Sequence, residues 1–263
     1  MKEIDLDELK QIQINITKEV HKFCKEKGLR YSLTYGTLIG AIRHNGFIPW
    51  DDDIDILMPR PDFEIFKRSF KHQFIVVADK EINPECNVTY GKVYDSRTVI
   101  QEYASIPWCS GVYIDVFPID GLGNNYENAV KHYKKLTFLR HLRDFKMVKL
   151  SRSRSFFRNL VLLLGKIALL PISFNFLQYK TIELCKKYRF EDSKYAAEMS
   201  FGTYKRIISK EVFENYVSHI FENENFYIIK KYDDYLKNIF GDYMKLPPQN
   251  EQKTHHVFKA WWK

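Results

Sequence analysis

Cysteine is scarce: four residues in 263 (Cys24, Cys86, Cys109 and Cys185), far apart, with no CxxC pair and no histidine at zinc-finger spacing. That excludes a disulfide-stapled scaffold and a structural zinc module, leaving inert thiols in a reducing compartment. The 11 glycines and 9 prolines are too dispersed to form a linker, and neither an internal repeat nor a low-complexity tract is present. A membrane span needs roughly 20 uninterrupted apolar residues. The most apolar stretch, FFRNLVLLLGKIALLPISFNFL (156–177), is broken by Arg158 and Lys166, and Pro171 ends its helical part. The opening MKEIDLDELK lacks the basic and then apolar character of a secretory signal, so a cytoplasmic protein is expected.

With 45% apolar and 28% charged residues, the composition is that of an ordinary globular chain. The net charge of +8 is unevenly placed, because residues 131–189 hold 15 Lys and Arg against Asp144 and Glu183, a local +13 that leaves −5 for the remainder. Such a block suits an anionic partner, whether membrane surface, polyanionic substrate or nucleic acid; the alternative is a set of solvated helix faces. For 156–177 a buried helix is the favoured reading. The rival is a helix in the membrane interface, with KMVKLSRSR (146–154) touching anionic head groups.

Apolar periodicity predicts a helix over 5–27, carried by Leu6, Leu9, Ile12, Ile16, Val20 and Phe23 and closed by Gly28. YSLTY (31–35) alternates like a strand, GTLIGAIRH (36–44) opens a helix, GFIP (46–49) is a loop and DIDILM (53–58) reads as a strand. Pro61 starts a helix with Phe63, Phe66 and Phe70 inward. Further strands are expected at 74–78, 88–94, 97–102, 112–117 and near 226–229, with helix over about 125–190 and 231–240. The fold class is α+β: a mixed sheet core with flanking helices and a mainly helical second half, forming one unit with a helical insertion.

NGFIPWDDDIDILMPR (45–60) packs acids against apolar residues. On a strand, Asp53 and Asp55 would share one face while Ile54 and Ile56 point into the core. Two carboxylates so mounted repel each other, and a hard divalent cation is the usual remedy; magnesium also takes phosphate oxygens. A calcium loop would match Asp51, Asp53, Asp55 and Asp62 in spacing, but its sharp-turn glycine is here Ile56. A solvated acidic loop remains the plain alternative. Upstream, Gly36 and Thr37 at a strand-to-helix junction could cradle phosphate, with Arg43 and His44 reaching the same anion or simply ending an exposed helix. In GVYIDVFPID (111–120), Asp115 is expected to complete the metal site or act as base, and Asp52 is a second candidate base; Asp120, after Pro118, is expected in a turn.

The blocks YGTLIGAIRHNGFIPWDDDIDILMPRPDFEIF, GVYIDVFPID and GDYMKLPP resemble the signatures of the LicD and fukutin-related family of phosphocholine and phospho-polyol transferases. That resemblance implies a nucleotidyltransferase-like core over about 28–122, a basic helical insertion over about 125–200 and a C-terminal part over about 200–263. It implies transfer of a phosphorylated alcohol, phosphocholine before phosphoribitol or phosphoglycerol, from a CDP-linked donor to a glycan hydroxyl, with CMP released. Asp53, Asp55 and Asp115 would hold Mg²⁺ or Mn²⁺, and Gly36, Thr37, Arg43 and His44 would steady phosphates. Choline would need aromatic faces, for which Trp50, Tyr90, Tyr94, Tyr103, Trp108 and Tyr113 are candidates. His255 and His256 are expected to contact phosphate or solvent rather than metal. The acceptor it implies is a cell-surface glycan (lipopolysaccharide, teichoic acid or capsule), lipid-linked in the membrane-facing reading, with the protein peripheral to the inner face of the plasma membrane. Two rivals stand beside this: a nucleotide-sugar glycosyltransferase using the same Asp-x-Asp, and, less favoured, a nucleic-acid-binding module using 131–189.

Overall fold

The computed structural model describes residues 2–102, 111–153, 155–254 and 258–263. After the short strand β1 (Glu3–Ile4), helix α1 (Leu6–Lys27) starts where the Asp5 side chain accepts the Glu8 amide, and ends where Gly28 turns at φ +65°. Its stripe of Leu9, Ile12, Ile16 and Val20 is buried in the main core. Burial of side chains this size contributes about 1.5–3 kcal/mol each.

The strands β2 (Ser32–Leu33), β3 (Asp55–Pro59), β4 (Ile75–Ala78), β5 (Gly91–Asp95) and β7 (Tyr113–Gly121) form the central sheet in the order β2-β3-β7-β5-β4. Only β3 and β7 are parallel within it, with Asp55 opposite Asp115. Helix α2 (Tyr35–His44) fills the crossing from β2 to the acidic loop, and α3 (Arg60–Ser69), with Pro61 in its first turn, buries Phe63 and Phe66. Strand β6 (Thr98–Glu102) lies in a second sheet, between whose edges β12 (Phe258–Trp262) pairs with both β1 and β6.

Helices α4 (Tyr126–Met147), α5 (Phe156–Ala168) and α6 (Phe174–Cys185) follow. A smaller apolar cluster joins Tyr133 and Leu136 of α4 and Leu184 and Cys185 of α6 to Ala197 of strand β8 (Tyr195–Glu198). Strand β8 pairs antiparallel with the end of β7 and with β9 (Ile208–Ser209). The hairpin of β10 (Tyr216–Phe221) and β11 (Glu224–Ile229) turns on Glu222 and Asn223, both at positive φ (50° and 64°), as a two-residue turn of matching twist requires. Its tip props the loop before the acids: Glu222 N–H donates to the Asn45 carbonyl, and Phe47 N–H donates to Glu222 Oε1 (both 2.9 Å). Helix α7 (Tyr232–Phe240) completes the cavity wall described below.

Three expectations need correction. Strand β3 begins at Asp55, so Asp53 lies in the preceding loop; pairing with β7 starts only at the Ile54 carbonyl, which accepts the Asp115 amide (3.0 Å). Asp120 is no turn residue: it lies on β7, 2% exposed, with both carboxylate oxygens held by Arg60 (2.6 and 2.7 Å). Helix α5 is not buried, because Leu162 is its one buried residue while Phe156 and Phe157 are 77% and 76% exposed. Among the described residues, no helix is long and apolar enough to cross a membrane. Cys24, Cys86 and Cys185 are buried free thiols, and Cys109 lies outside the described residues.

Candidate active site

The acidic loop is positioned from three sides. Gln13 of α1 donates through Nε2 to the carbonyls of Asp52 (3.1 Å) and Tyr113 (3.2 Å), tying loop and β7 to one buried amide. Thr37 of α2 is buried, and its Oγ1 accepts the Asp55 amide at 2.8 Å. The Asp51 amide donates to the Ile48 carbonyl (2.8 Å), and a methyl group at Gly36 would come within 2.5 Å of Asp51 Oδ2. Glycine at 36 therefore lets an acid sit against the start of α2, where the helix dipole favours negative charge.

A cavity of about 520 Å³ opens over these groups. Asp51, Asp53, Asp55 and Asp115 line it together with Gly36, Trp50 and a set of aromatic side chains. Burial, then the charges of Asp53, Asp115 and Asp51, hold the Asp55 carboxyl well above the usual carboxylate range, with Lys92 pulling the other way. Lys92 pairs with Asp115 Oδ1 at 3.0 Å and lies 3.3 Å from the centroid of the Tyr113 ring. One oxygen each from Asp51, Asp52 and Asp53 lies within 4.8 Å of the others, a donor set able to hold a metal ion.

Much of the remaining lining is apolar. Tyr90 packs on Phe117 and Phe201 (ring centroids 4.7 and 5.3 Å), and Tyr35 meets Phe117 edge-on at 5.3 Å. Arg206 is the cation among the described lining residues. Its Nη1 donates to Tyr35 Oη (3.0 Å) and lies 3.4 Å from Glu198 Oε2, which also accepts the Tyr35 hydroxyl (2.9 Å). Burial raises the Glu198 carboxyl, against the lowering effect of Ser200 and Arg206. Tyr35 holds φ at +47°, a left-handed backbone worth roughly 1–3 kcal/mol of strain that its side-chain network has to outweigh.

Of the residues singled out from sequence, Asp53, Asp55, Asp115, Gly36 and Trp50 meet at the cavity, as does Tyr90. Asp52 is buried behind it with its neighbours' carboxylates, and Thr37 is occupied with Asp55. Arg43 and His44, at the far end of α2, do not line it: Arg43 donates to the Tyr243 carbonyl and to His44 Nε2 (both 3.0 Å). The GDYMKLPP block thus braces α2 through Tyr243, whose hydroxyl donates to Asp233 (3.0 Å). Tyr103, Trp108, His255 and His256 lie outside the described residues. Arg206, Glu198, Tyr35, Phe201 and Phe240 carry no local sequence pattern that marks them for this site, and the YAAE stretch of β8 shows no alternation of apolar and polar residues.

The family model described as LicD/FKTN/FKRP, nucleotidyltransferase domain, matches residues 28–154. The chain is 31% identical over 274 aligned residues, 99% of each chain, to the lipopolysaccharide cholinephosphotransferase LicD of Haemophilus influenzae. It is 39% identical over 59 residues, 22% of its length, to uncharacterised proteins of Rickettsia prowazekii and Rickettsia typhi, covering 22% and 19% of those chains. The family model falls on the segment bearing the acidic loop and β7, and the Haemophilus match runs the length of both chains, so this protein belongs to the LicD family.

Proposed function

We propose that this protein is a metal-dependent transferase that moves phosphocholine from CDP-choline to a hydroxyl of a cell-surface glycan, leaving CMP. One observation carries the reading: a single cavity sets the carboxylates of Asp51, Asp53, Asp55 and Asp115 against an aromatic wall. A diphosphate needs a cation beside those carboxylates, and a quaternary ammonium is attracted to ring faces. The name of the Haemophilus relative supports choline as cargo and a lipopolysaccharide-type acceptor.

The donor set fits Mg²⁺ or Mn²⁺: hard carboxylate oxygens, with Asp55 raised by burial and then by the charges of Asp53, Asp115 and Asp51. Asp53 and Asp55 would hold the ion, with Asp51 and Asp52 beside them and Asp115 left to proton transfer; when bound, it would neutralise charge on the diphosphate and the departing nucleotide. The protein's own groups do the positioning. Arg206, fixed by Tyr35 and Glu198, offers a rigid fork to a phosphate oxygen. Tyr90, Phe117 and Phe201 take the ammonium and keep water from the phosphorus. The glycan oxygen forms the new P–O bond, the P–O bond to CMP breaks, and Asp115, oriented by Lys92, accepts the hydroxyl proton. A lipid-linked glycan assembled at the cytoplasmic face of the plasma membrane is the acceptor we assign.

The test is incubation with CDP-choline, CDP-ribitol, CDP-glycerol and UDP-sugars, with and without Mg²⁺, following nucleotide release. CMP from CDP-choline that depends on the metal is expected; turnover of UDP-sugars alone overturns the reading.

A further inference from the structure

Helix α5 is amphipathic in the reverse sense. Its inward side is the polar one: Asn159 donates to the Ser151 carbonyl (2.8 Å), and Lys166 Nζ donates to the Lys146 carbonyl (2.7 Å). Lys146 Nζ in turn donates to the carbonyls of Leu169 (2.7 Å) and Ile172 (2.6 Å), so each lysine satisfies the end of the other's helix. Gly165 lies against the Phe145 ring, and a methyl there would come within 2.6 Å of it. The outward side carries Phe156, Phe157, Leu160, Val161, Leu164 and Ile167, all exposed. At 100° per residue these fall within one half of the helix, opposite Asn159, Leu162 and Lys166.

A 13-residue helix is about 20 Å long, too short to span a bilayer and long enough to lie in its interface. Exposed cations flank the apolar face, at Lys149 and Arg152 before the helix and Arg158 within its first turn. They belong to the 131–189 segment with its 15 basic and 2 acidic residues. A second copy of the chain would bring the same excess of positive charge against itself, whereas an anionic surface complements it. We propose that α5 is a membrane anchor: its outward face enters the head-group region of an anionic bilayer, with Lys149, Arg152 and Arg158 on lipid phosphates. This rests on the surface alone and not on the proposed reaction.

The experiment is co-sedimentation of the full chain with vesicles of phosphatidylcholine, with and without phosphatidylglycerol, at low and high salt. Binding is expected only with the anionic lipid, weakening as salt rises. Phe157→Glu with Val161→Glu should weaken it by at least about tenfold, and Lys149→Glu with Arg152→Glu by about fivefold for each cation lost. Both variants should keep the parent's melting temperature and its nucleotide release from soluble donor, which separates failure of the anchor from failure of the transferase reading. No binding by the parent, or undiminished binding by Phe157→Glu with Val161→Glu, overturns the proposal. So does a parent dimer in light scattering that this variant dissolves, which assigns the face to a second copy.

Discussion

Asp55 and Asp115 are register partners on the parallel strands β3 and β7, and Lys92 stands opposite Asp115 on the other neighbour, β5. Adjacent strands lie about 4.8 Å apart, so the two carboxylates share one face at close range. Burial first, and the charges of Asp53, Asp115 and Asp51 after it, push the Asp55 carboxyl upward. A carboxyl raised in the fold supports folding below its unfolded value of about 3.9, and that support is lost as pH rises through the folded value. Metal-free Asp55→Asn should therefore melt above the parent at pH 8, with the gap closing toward pH 4. Each kcal/mol of relieved repulsion corresponds to about 2–4 °C. A thermal-shift series across pH checks this, and a gap that does not depend on pH sinks it.

Activity should move the other way. In the proposed reaction, Asp53→Ala and Asp55→Ala would each remove an oxygen ligand at the point where charge gathers on the departing nucleotide, so turnover should fall on the order of 10²–10³-fold. Added Mg²⁺ should raise the parent's melting temperature, by about 2.7 kcal/mol of stability at a hundred times the dissociation constant, and leave these variants unmoved. Circular dichroism of the apoproteins separates lost chemistry from lost fold.

How far this site can be read in one dimension depends on sequence distance. Asp53, Asp55, Ile54 and Ile56 are neighbours; alternation on β3 divides Asp55 from Ile56, while Asp53 reaches the same cavity from the loop before the strand. Asp115 follows from the same rule on β7, because Val112, Ile114 and Val116 are buried on its other face. Arg206 and Glu198 obey no local rule: β8 pairs with β7 through Ile119 and Glu198, and Glu198 with Tyr35 holds Arg206 at the cavity. Gln13 looks like any polar residue on α1 until its amide is found on the Asp52 and Tyr113 carbonyls. Periodicity places an apolar face on α5 equally well for a core or a bilayer, and only the Lys146 and Lys166 contacts show which side turns inward.

The aromatic wall predicts how the donor is chosen. Tyr90 packs at a tilt on both Phe117 and Phe201, which also meet each other at 5.4 Å, so Tyr90→Leu removes one ring face while the other two rings keep the cavity apolar. A cation over an aromatic face contributes about 0.5–2 kcal/mol. The KM for CDP-choline should rise about 2–30-fold, with little change for CDP-glycerol, which has no ammonium group. Equal changes for both donors would mean that the ring serves packing alone.

Arg60 and Asp120 predict a stability effect away from the chemistry. The pair is bidentate and shielded, with side-chain exposures of 13% and 2%. Asp120→Asn leaves the buried guanidinium with Glu64 at 3.6 Å in place of its bidentate partner, at a cost of up to about 3–5 kcal/mol, which is up to about 6–20 °C in melting temperature. Replacing both residues together, Arg60→Met with Asp120→Leu, should recover most of that loss, since an apolar pair has no charge left to desolvate. Chemical denaturation of the two single variants and the double variant measures the coupling directly.

Gly36→Ala sets two effects against each other at one atom. Gly36 is the second residue of α2 and has no positive φ, so the backbone accepts alanine, and alanine in a helix gains up to about 1 kcal/mol over glycine. The added methyl would come within 2.5 Å of Asp51 Oδ2, closer than contact allows, so the Asp51 carboxylate must swing away from the start of α2. Moving that short side chain disturbs the carboxylates lining the cavity while the core stays whole. The variant should keep or slightly raise the parent's melting temperature and lose nucleotide release by about tenfold or more, with a weaker response to Mg²⁺. A variant destabilised by several degrees would place the role of Gly36 in folding, and one with full activity would mean that Asp51 stands outside the reaction.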